Sequence, residues 1–167
     1  MPIAGVDFGR KRIGLAITDS QGAYPIGTIE RRSLKYDLDA ISSRLADRKV
    51  SLIVVGLPLN MDGTEGPSAR AARAFAERLG TATGLPVEMF DERLTSVEAD
   101  ERLREASNSR TSKGAARKSA ARKKATRDAV AAAVILEGWL ESRRGAAESA
   151  MNPVSRPDEA CATPVKQ

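Results

Sequence analysis

The sequence predicts an α/β protein built on a mixed, five-stranded sheet with helices packed against it. The first part of the chain contains three short strand-like runs separated only by turns, a pattern typical of antiparallel strands. Two further strands follow, each preceded by a helical segment, and a helical crossover makes the strands that it joins parallel. The chain has 167 residues, a length that suits one domain.

Three antiparallel strands are expected at the N-terminal end of the chain. The first is the apolar run at residues 3–8, and the second covers residues 12–18, where apolar residues alternate along the strand. The turn at residues 9–11 joins them, so the two runs are typical of a hairpin. A third strand is predicted over residues 24–32.

Helices and strands alternate in the remainder of the chain. Helices are predicted where apolar residues recur at helical spacing, and strands where short apolar runs lie between turns. The expected elements are a helix at 37–49, a strand at 51–57, a helix that carries Ala72, Phe75, Ala76 and Leu79, a strand at 86–90, a helix that begins near Thr95 and Glu98, and a last helix at about 126–141. The resulting element order is β-β-β-α-β-α-β-α-α.

Positive charge is concentrated in one segment of a chain whose net charge is +5. Ten basic residues and a single acid lie between residues 102 and 127, so this segment carries +9 and the rest of the chain −4. A basic segment on an acidic body favours a polyanionic partner, and a solvated linker is the alternative. We expect one domain over residues 1–144, with a mobile basic segment at 108–125, and a disordered tail over 145–167.

Several classes of protein are excluded by the residue counts. The chain has no histidine, which rules out Ser-His-Asp and Cys-His catalysis and every zinc site that needs imidazole. Its one cysteine, Cys161, rules out a disulfide framework and thiolate zinc clusters. The N-terminus lacks the pattern of a signal peptide, and the longest apolar run, residues 129–136, is too short to cross a membrane. We therefore expect a cytoplasmic protein without a membrane partner.

Four carboxylates are placed where the ligands of α/β proteins collect. Asp7 is the second-last residue of the first strand, and Asp91 and Glu92 follow the fifth. The carboxyl ends of parallel strands meet at one edge of a sheet. Asp128 begins the apolar stripe of the last helix. Each has a structural alternative, because Asp7 could cap the hairpin turn and the other three could stabilise the N-terminus of a helix.

Acids from three separated segments, in a chain without histidine, favour an oxygen-liganded ion such as Mg²⁺ or Mn²⁺. Two such ions can hold the attacking and leaving oxygens of an in-line phosphodiester displacement. The basic segment would then contact the phosphate backbone of a nucleic acid. The residues themselves therefore predict a metal-dependent enzyme that acts on phosphodiester bonds.

Four segments of the chain resemble, in order, the sequence blocks of a known family. They are GVDFGRKRIGLAITD, VVGLPLNMDGTEG, FDERLTSVEA and RDAVAAAVILEGWL, and together they span about residues 3 to 142. These blocks resemble the YqgF family, the bacterial RNase H-like group of pre-16S rRNA nucleases and Holliday-junction resolvase homologues. The resemblance implies an RNase H-like nuclease domain whose strands have the order 3-2-1-4-5.

The resemblance also implies which residues carry the activity. Its acidic triad falls on Asp7, Glu92 and Asp128, which would be both the catalytic residues and the metal ligands, with Asp91 as a further metal ligand. It implies that four other residues contact the nucleic acid. They are Lys11, Asn60, Arg93 and Thr95.

The function implied by this resemblance is a metal-dependent endonuclease that processes the 5′ end of precursor 16S rRNA in ribosome biogenesis, with ribosomal subunit precursors as partners. Two alternatives stay open: the same chemistry on branched DNA, and a non-catalytic RNA-binding factor of ribosome assembly. Phosphate contacts carry no sugar identity, so the sequence does not separate RNA from DNA. The turn after Asp7 also resembles the first phosphate loop of actin-like ATPases, but that superfamily needs two such domains. No feature of the sequence sets the oligomeric state.

Overall fold

The structure, a computed structural model, describes residues 1–20, 22–94 and 119–151. Its five strands form one sheet in the order β3-β2-β1-β4-β5, which confirms the predicted order. The strands are β1 (Ile3–Phe8), β2 (Arg12–Thr18), β3 (Ala23–Glu30), β4 (Leu52–Leu57) and β5 (Val87–Asp91). The helices are α1 (Leu34–Ala46), α2 (Pro67–Thr83) and α3 (Ser119–Met151), and a 3-10 turn, Glu92–Leu94, follows β5.

The sheet is mixed, and its pairing brings three strand ends to one edge. β1 pairs antiparallel with β2, and β2 with β3, whereas β1 with β4 and β4 with β5 are parallel. Parallel strands must be joined by crossovers, and α1 and α2 supply them on the same face of the sheet. The carboxyl ends of β1, β4 and β5 therefore lie side by side, as the sequence predicts.

The hydrophobic core has two halves, one on each face of the sheet. α1 and α2 cover one face, where buried residues such as Leu15 and Val55 pack against Ile41 and Leu79. α3 covers the other face, where Ala132 and Leu136 belong to a second buried cluster. Burial of each such aliphatic side chain contributes about 1.5–3 kcal/mol to the stability of the folded state. The sheet is thus held between helices on both faces.

α1 begins earlier than its apolar spacing predicts. The helix starts at Leu34 rather than at residue 37, because Ser33 is its N-cap and the Ser33 side chain accepts a hydrogen bond from the backbone N–H of Tyr36 at 3.2 Å. Asp37 then lies in the first turn and is buried. The predicted helix limits were therefore shifted by about one turn.

α3 is much longer than predicted. It covers Ser119–Met151 instead of about 126–141, so residues 119–125 and 145–151, predicted to be mobile or disordered, are helical. Ala, Arg and Lys, which favour helices, dominate the first of these segments, and the first proline after it is Pro153. Asp128 consequently lies in the third turn, so the alternative that it stabilises a helix N-terminus is wrong.

Other expectations lie outside the described residues. These are the helix that begins near Thr95, the remainder of the basic segment, and the tail beyond residue 151. Within the described part of the chain, none of the helices combines the length and hydropathy needed to cross a bilayer.

Candidate active site

Asp7 lies near the carboxyl end of β1, between glycines of the two neighbouring strands. On the antiparallel side it is paired with Gly14 of β2. On the parallel side Val6 is paired with Val55, so the next residue of β4, Gly56, follows alongside Asp7. Since a glycine has no side chain, the space on both sides of Asp7 is open above this face of the sheet.

α3 uses the open space above Gly14. A β-carbon on Gly14 would collide with the carbonyl oxygen of Asp128, and one on Gly5 would lie 2.6 Å from the carbonyl oxygen of Ala132. Backbone atoms cannot move aside as the end of a side chain can, so only glycine permits this close approach. This close approach brings Asp128, whose side chain is 28% exposed, to the same face of the sheet as Asp7.

Glu92 uses the space above Gly56. A β-carbon on Gly56 would collide with Oε1 of Glu92 and would lie 2.6 Å from Cδ1 of Ile135. Glu92 begins the 3-10 turn directly after β5, which directs its side chain over the edge of the sheet. Asp7, Glu92 and Asp128, predicted as one triad, are thus brought together from three distant segments.

The electrostatics of Asp7 reflect this assembly. Burial, then the charge of Glu92 and then the charge of Asp128 raise the pKa of Asp7 from 3.8 to about 7. Other carboxylates raise a pKa in this way only when they are close. An ionised Asp7 is therefore costly without a compensating cation, which is a property of sites that bind cations.

Asp91 and Glu92 are neighbours in sequence but differ in their partners. Asp91 accepts hydrogen bonds from Nε and Nη2 of Arg93 at 2.7–3.1 Å and from the Arg93 backbone N–H at 3.0 Å. These bonds hold the pKa of Asp91 below its usual value, whereas burial, followed by the charge of Asp91, raises the pKa of Glu92. Asp91 therefore caps the 3-10 turn and orients Arg93, and Glu92 is the member of the pair whose charge acts on Asp7.

Arg12 is a residue that sequence reasoning missed. It begins β2, and its guanidinium group lies 3.9 Å from Asp128 and 3.6 Å from Glu30. Only 17% of its side chain is exposed. The signal was present in the sequence, because Arg12 is the last of three consecutive cations at residues 10–12, shortly after Asp7. Its position beside Asp128 offsets part of the negative charge of the acids.

Two of the predicted substrate contacts, Arg93 and Asn60, are engaged in building a loop. Nη1 of Arg93 donates to the backbone carbonyls of Asn60 and Met61 at 3.3 and 3.4 Å. Nδ2 of Asn60 donates to Oγ1 of Thr64 at 2.9 Å. Both residues therefore hold the loop between β4 and α2 beside the acids. Of the other two predicted contacts, Lys11 is exposed in the turn after β1. Thr95 lies outside the described residues.

The carboxylates are gathered at one edge without being closed into a coordination sphere. Among the described residues, no group of three or more acidic side chains is near enough to hold a metal ion as it stands. The donor chemistry nevertheless suits a divalent ion that prefers oxygen, because Asp7, Glu92 and Asp128 supply only carboxylates and the charges of Glu92 and Asp128 raise the cost of an ionised Asp7.

Comparison with known proteins gives matches over most of the chain. The family model RuvX, described as Holliday junction resolvase, matches residues 1–142. A relative from Anaeromyxobacter sp. (strain Fw109-5), named "Putative pre-16S rRNA nuclease", is 51% identical over 86% of this chain and 98% of its own. A protein of the same name from Myxococcus xanthus is 44% identical over 86% of this chain and 90% of its own. These matches confirm the resemblance drawn from the four sequence blocks.

Solved structures confirm the RNase H-like fold. Thermus thermophilus RuvC is similar with a TM-score of 0.52 at 15% sequence identity, over 87% of this chain and 97% of that one. RuvC of the same organism in complex with a Holliday junction substrate gives a TM-score of 0.51 at 14% identity, over 85% of this chain and 96% of that one. Likeness at this level of identity concerns the path of the chain and leaves the chemistry to be argued from the site.

Proposed function

Because the chain belongs to the RuvX (YqgF) family of Holliday junction resolvases, we propose that it is a metal-dependent endonuclease that processes the 5′ end of precursor 16S rRNA. The choice of RNA follows the relatives that share about half of its residues, which are named for pre-16S rRNA. Asp7, Glu92 and Asp128 would be the catalytic residues. Ribosomal subunit precursors would be its partners in the cell.

One observation carries this proposal. Asp7 lies between Gly14 and Gly56, and those two glycines admit the backbone of Asp128 and the side chain of Glu92. Apolar side chains at these positions would bury more surface and stabilise the sheet more than glycines and acids do. The site instead gathers acids whose charges oppose one another, an arrangement that favours a function requiring a cation.

Asp7, Glu92 and Asp128 would hold Mg²⁺ or Mn²⁺ through carboxylate oxygens. When bound, such an ion lowers the pKa of an attacking water and offsets the charge of the phosphodiester. The residues of the chain orient the site: Arg12 lies beside Asp128, and Arg93 holds the loop after β4 through the carbonyls of Asn60 and Met61. With no histidine in the chain, the proton of the attacking water would pass to a carboxylate or to solvent.

The test is a cleavage assay with purified protein, Mg²⁺ and precursor 16S rRNA. Asp7→Asn keeps the size of the side chain and removes its charge, so we expect its cleavage rate to fall about 100-fold or more. The matched control is Asp47→Asn, an exposed carboxylate at the end of α1, which should cleave like the unaltered protein. Equal cleavage by the Asp7→Asn protein would refute the mechanism, and RNA binding without cleavage by either protein would favour an assembly factor.

Branched DNA is a second candidate substrate, and the description of the family as Holliday junction resolvase favours it. A four-way DNA junction should therefore be offered in the same assay beside the precursor RNA. Faster cleavage of the junction, lost in the Asp7→Asn protein, would retain the mechanism and replace the substrate.

A further inference from the structure

A buried ion pair joins the start of α1 to the segment before it. Asp37 is 1% exposed, and its Oδ2 accepts a hydrogen bond from Nε of Arg31 at 3.2 Å. Its Oδ1 accepts a hydrogen bond from the backbone N–H of Arg32 at 3.1 Å. A charged side chain is costly to bury, so its presence calls for a reason beyond packing.

Arg31 extends this ion pair to the turn that follows β1. Its Nη1 donates to the carbonyl of Gly9 at 3.1 Å, and its backbone N–H donates to the carbonyl of Lys11 at 3.0 Å. Its guanidinium group also lies 4.2 Å from the centre of the Phe8 ring, and Phe8 directly follows Asp7. The turn at residues 9–11 and the start of α1 are therefore held together at the end of the sheet where β1 ends and the acids lie, with Phe8 on the face opposite to Asp7.

The exposed side of this assembly carries cations and one aromatic ring. We define the basic–aromatic surface as Arg10, Lys11, Arg32 and Tyr36, all of which are exposed. The guanidinium group of Arg32 lies 4.8 Å from the centre of the Tyr36 ring, and Tyr36 is 41% exposed. Among the ion pairs of the described residues, none engages the side chains of these three cations.

Cations beside an exposed aromatic ring are the two elements by which proteins hold unpaired nucleotides. The cations neutralise phosphates, and a base stacks on the ring. An acidic peptide would use the cations but would leave the ring without a role. Arg10 and Lys11 lie three and four residues after Asp7 in the turn that follows β1, a position that suits a segment of nucleic acid continuing from a bond cleaved at the acids.

We propose that the basic–aromatic surface binds single-stranded RNA next to the cleaved bond, with Arg10, Lys11 and Arg32 on phosphates and Tyr36 stacked on a base. The inference rests on the proposed function for the identity of the ligand. Arg31 and Asp37 are positioning residues, because they hold the turn and the start of α1 in one surface without contacting the RNA.

The first experiment measures the salt dependence of RNA binding in EDTA, with a fluorescent single-stranded oligoribonucleotide as the probe. Neutralising Arg10, Lys11 and Arg32 together by glutamine should lower the slope of log Kd against log salt by about 2, since each phosphate contact contributes about 0.7. The matched control replaces three exposed cations at the opposite end of the sheet, after α1 and late in α2. They are Arg48, Lys49 and Arg78.

The second experiment tests the aromatic ring. Tyr36→Ala should weaken binding of the same oligonucleotide at least about five-fold, whereas Tyr36→Phe, which keeps the ring, should bind like the unaltered protein. Thermal unfolding of both variants separates this effect from a loss of structure. A purely structural role for Tyr36 would lower the unfolding temperature of Tyr36→Ala and leave the affinity of the folded protein unchanged.

The outcomes distinguish this proposal from the proposed function. Equal salt slopes for the two triple variants, or equal affinity for Tyr36→Ala and the unaltered protein, would overturn the basic–aromatic surface. Because binding is measured in EDTA, neither result depends on whether the protein cleaves RNA. Failure of the nuclease proposal would be seen instead as equal cleavage by the unaltered and Asp7→Asn proteins.

Discussion

Replacing Asp7 by asparagine is expected to stabilise the metal-free protein at alkaline pH. Burial and the charges of Glu92 and Asp128 raise the pKa of Asp7 to about 7 in the folded protein, against 3.8 for an ordinary Asp. The folded state therefore binds a proton more tightly than the unfolded state. The stability that this proton contributes is complete below pH 3.8 and is lost as the pH rises through about 7.

The size of the effect follows from the two pKa values. Each pKa unit corresponds to about 1.4 kcal/mol, so the full change between 3.8 and about 7 is about 4 kcal/mol. The folded protein loses about 3 kcal/mol of this stabilisation as the pH rises from about 5 to about 8. The asparagine of the Asp7→Asn variant carries no charge at any of these pH values, so the variant should lose none of this stability.

The assay is urea unfolding of both proteins in EDTA at about pH 5 and about pH 8. The free energy of unfolding of Asp7→Asn, minus that of the unaltered protein, should rise by about 3 kcal/mol between the two pH values. The control is Asp47→Asn, which removes an exposed carboxylate and shows how far the loss of one negative charge by itself changes the free energy of unfolding. A difference that does not change with pH would refute the inference that burial and the nearby charges of Glu92 and Asp128 raise the pKa of Asp7.

Three further predictions concern the same region. Millimolar Mg²⁺ should raise the unfolding temperature of the unaltered protein at about pH 8 and have little effect on Asp7→Asn, as thermal scans with and without EDTA would show. Gly14→Ala should lower the free energy of unfolding in urea by about 3 kcal/mol and abolish cleavage, because the new β-carbon collides with the carbonyl oxygen of Asp128. The control is Gly145→Ala, whose β-carbon meets nothing within 4 Å and which should stabilise α3 by up to about 1 kcal/mol. Asp37→Ala should lower the free energy of unfolding by about 3 kcal/mol, since it leaves two donors without their acceptor.

Much of the fold could be predicted from local patterns. The strands depend on short apolar runs between turn residues, and the five predicted runs coincide with the five strands to within two residues at each end. The crossover rule then makes β1, β4 and β5 parallel, which is enough to bring Asp7 to the same edge as Glu92. The helix limits were less accurate, because α1 begins at its cap, Ser33, rather than at its first apolar repeat.

The basic segment shows why local composition can mislead. Residues 119–125 are rich in lysine and arginine and lack an apolar stripe, a pattern that predicted a mobile segment. They are nevertheless helical, because they continue α3, whose later turns pack on the sheet. A helix that is already nucleated by tertiary contacts extends at little cost through residues of good helix propensity.

By itself, the sequence determined the class of fold, the family and the chemistry that is available. Without histidine and with one cysteine, the chain is left with carboxylates, lysines, arginines, hydroxyls or an oxygen-liganded metal, and the family resemblance of its four sequence blocks predicts an acidic triad of Asp7, Glu92 and Asp128. These properties depend on which residues are present and on the order in which they occur.

Only the tertiary structure decided what surrounds each acid. Gly14 and Gly56 admit Asp128 and Glu92 beside Asp7, Arg93 engages Asp91, and Arg12 lies beside Asp128. Arg93 and Asp91 are two residues apart in the sequence. In each of the other contacts, the two residues are far apart in the chain. Packing of α3 and of the turn after β5 against the sheet buries Asp7 and brings Glu92 and Asp128 close to it. This burial, followed by the charges of Glu92 and Asp128, raises the pKa of Asp7 and the cost of its charge.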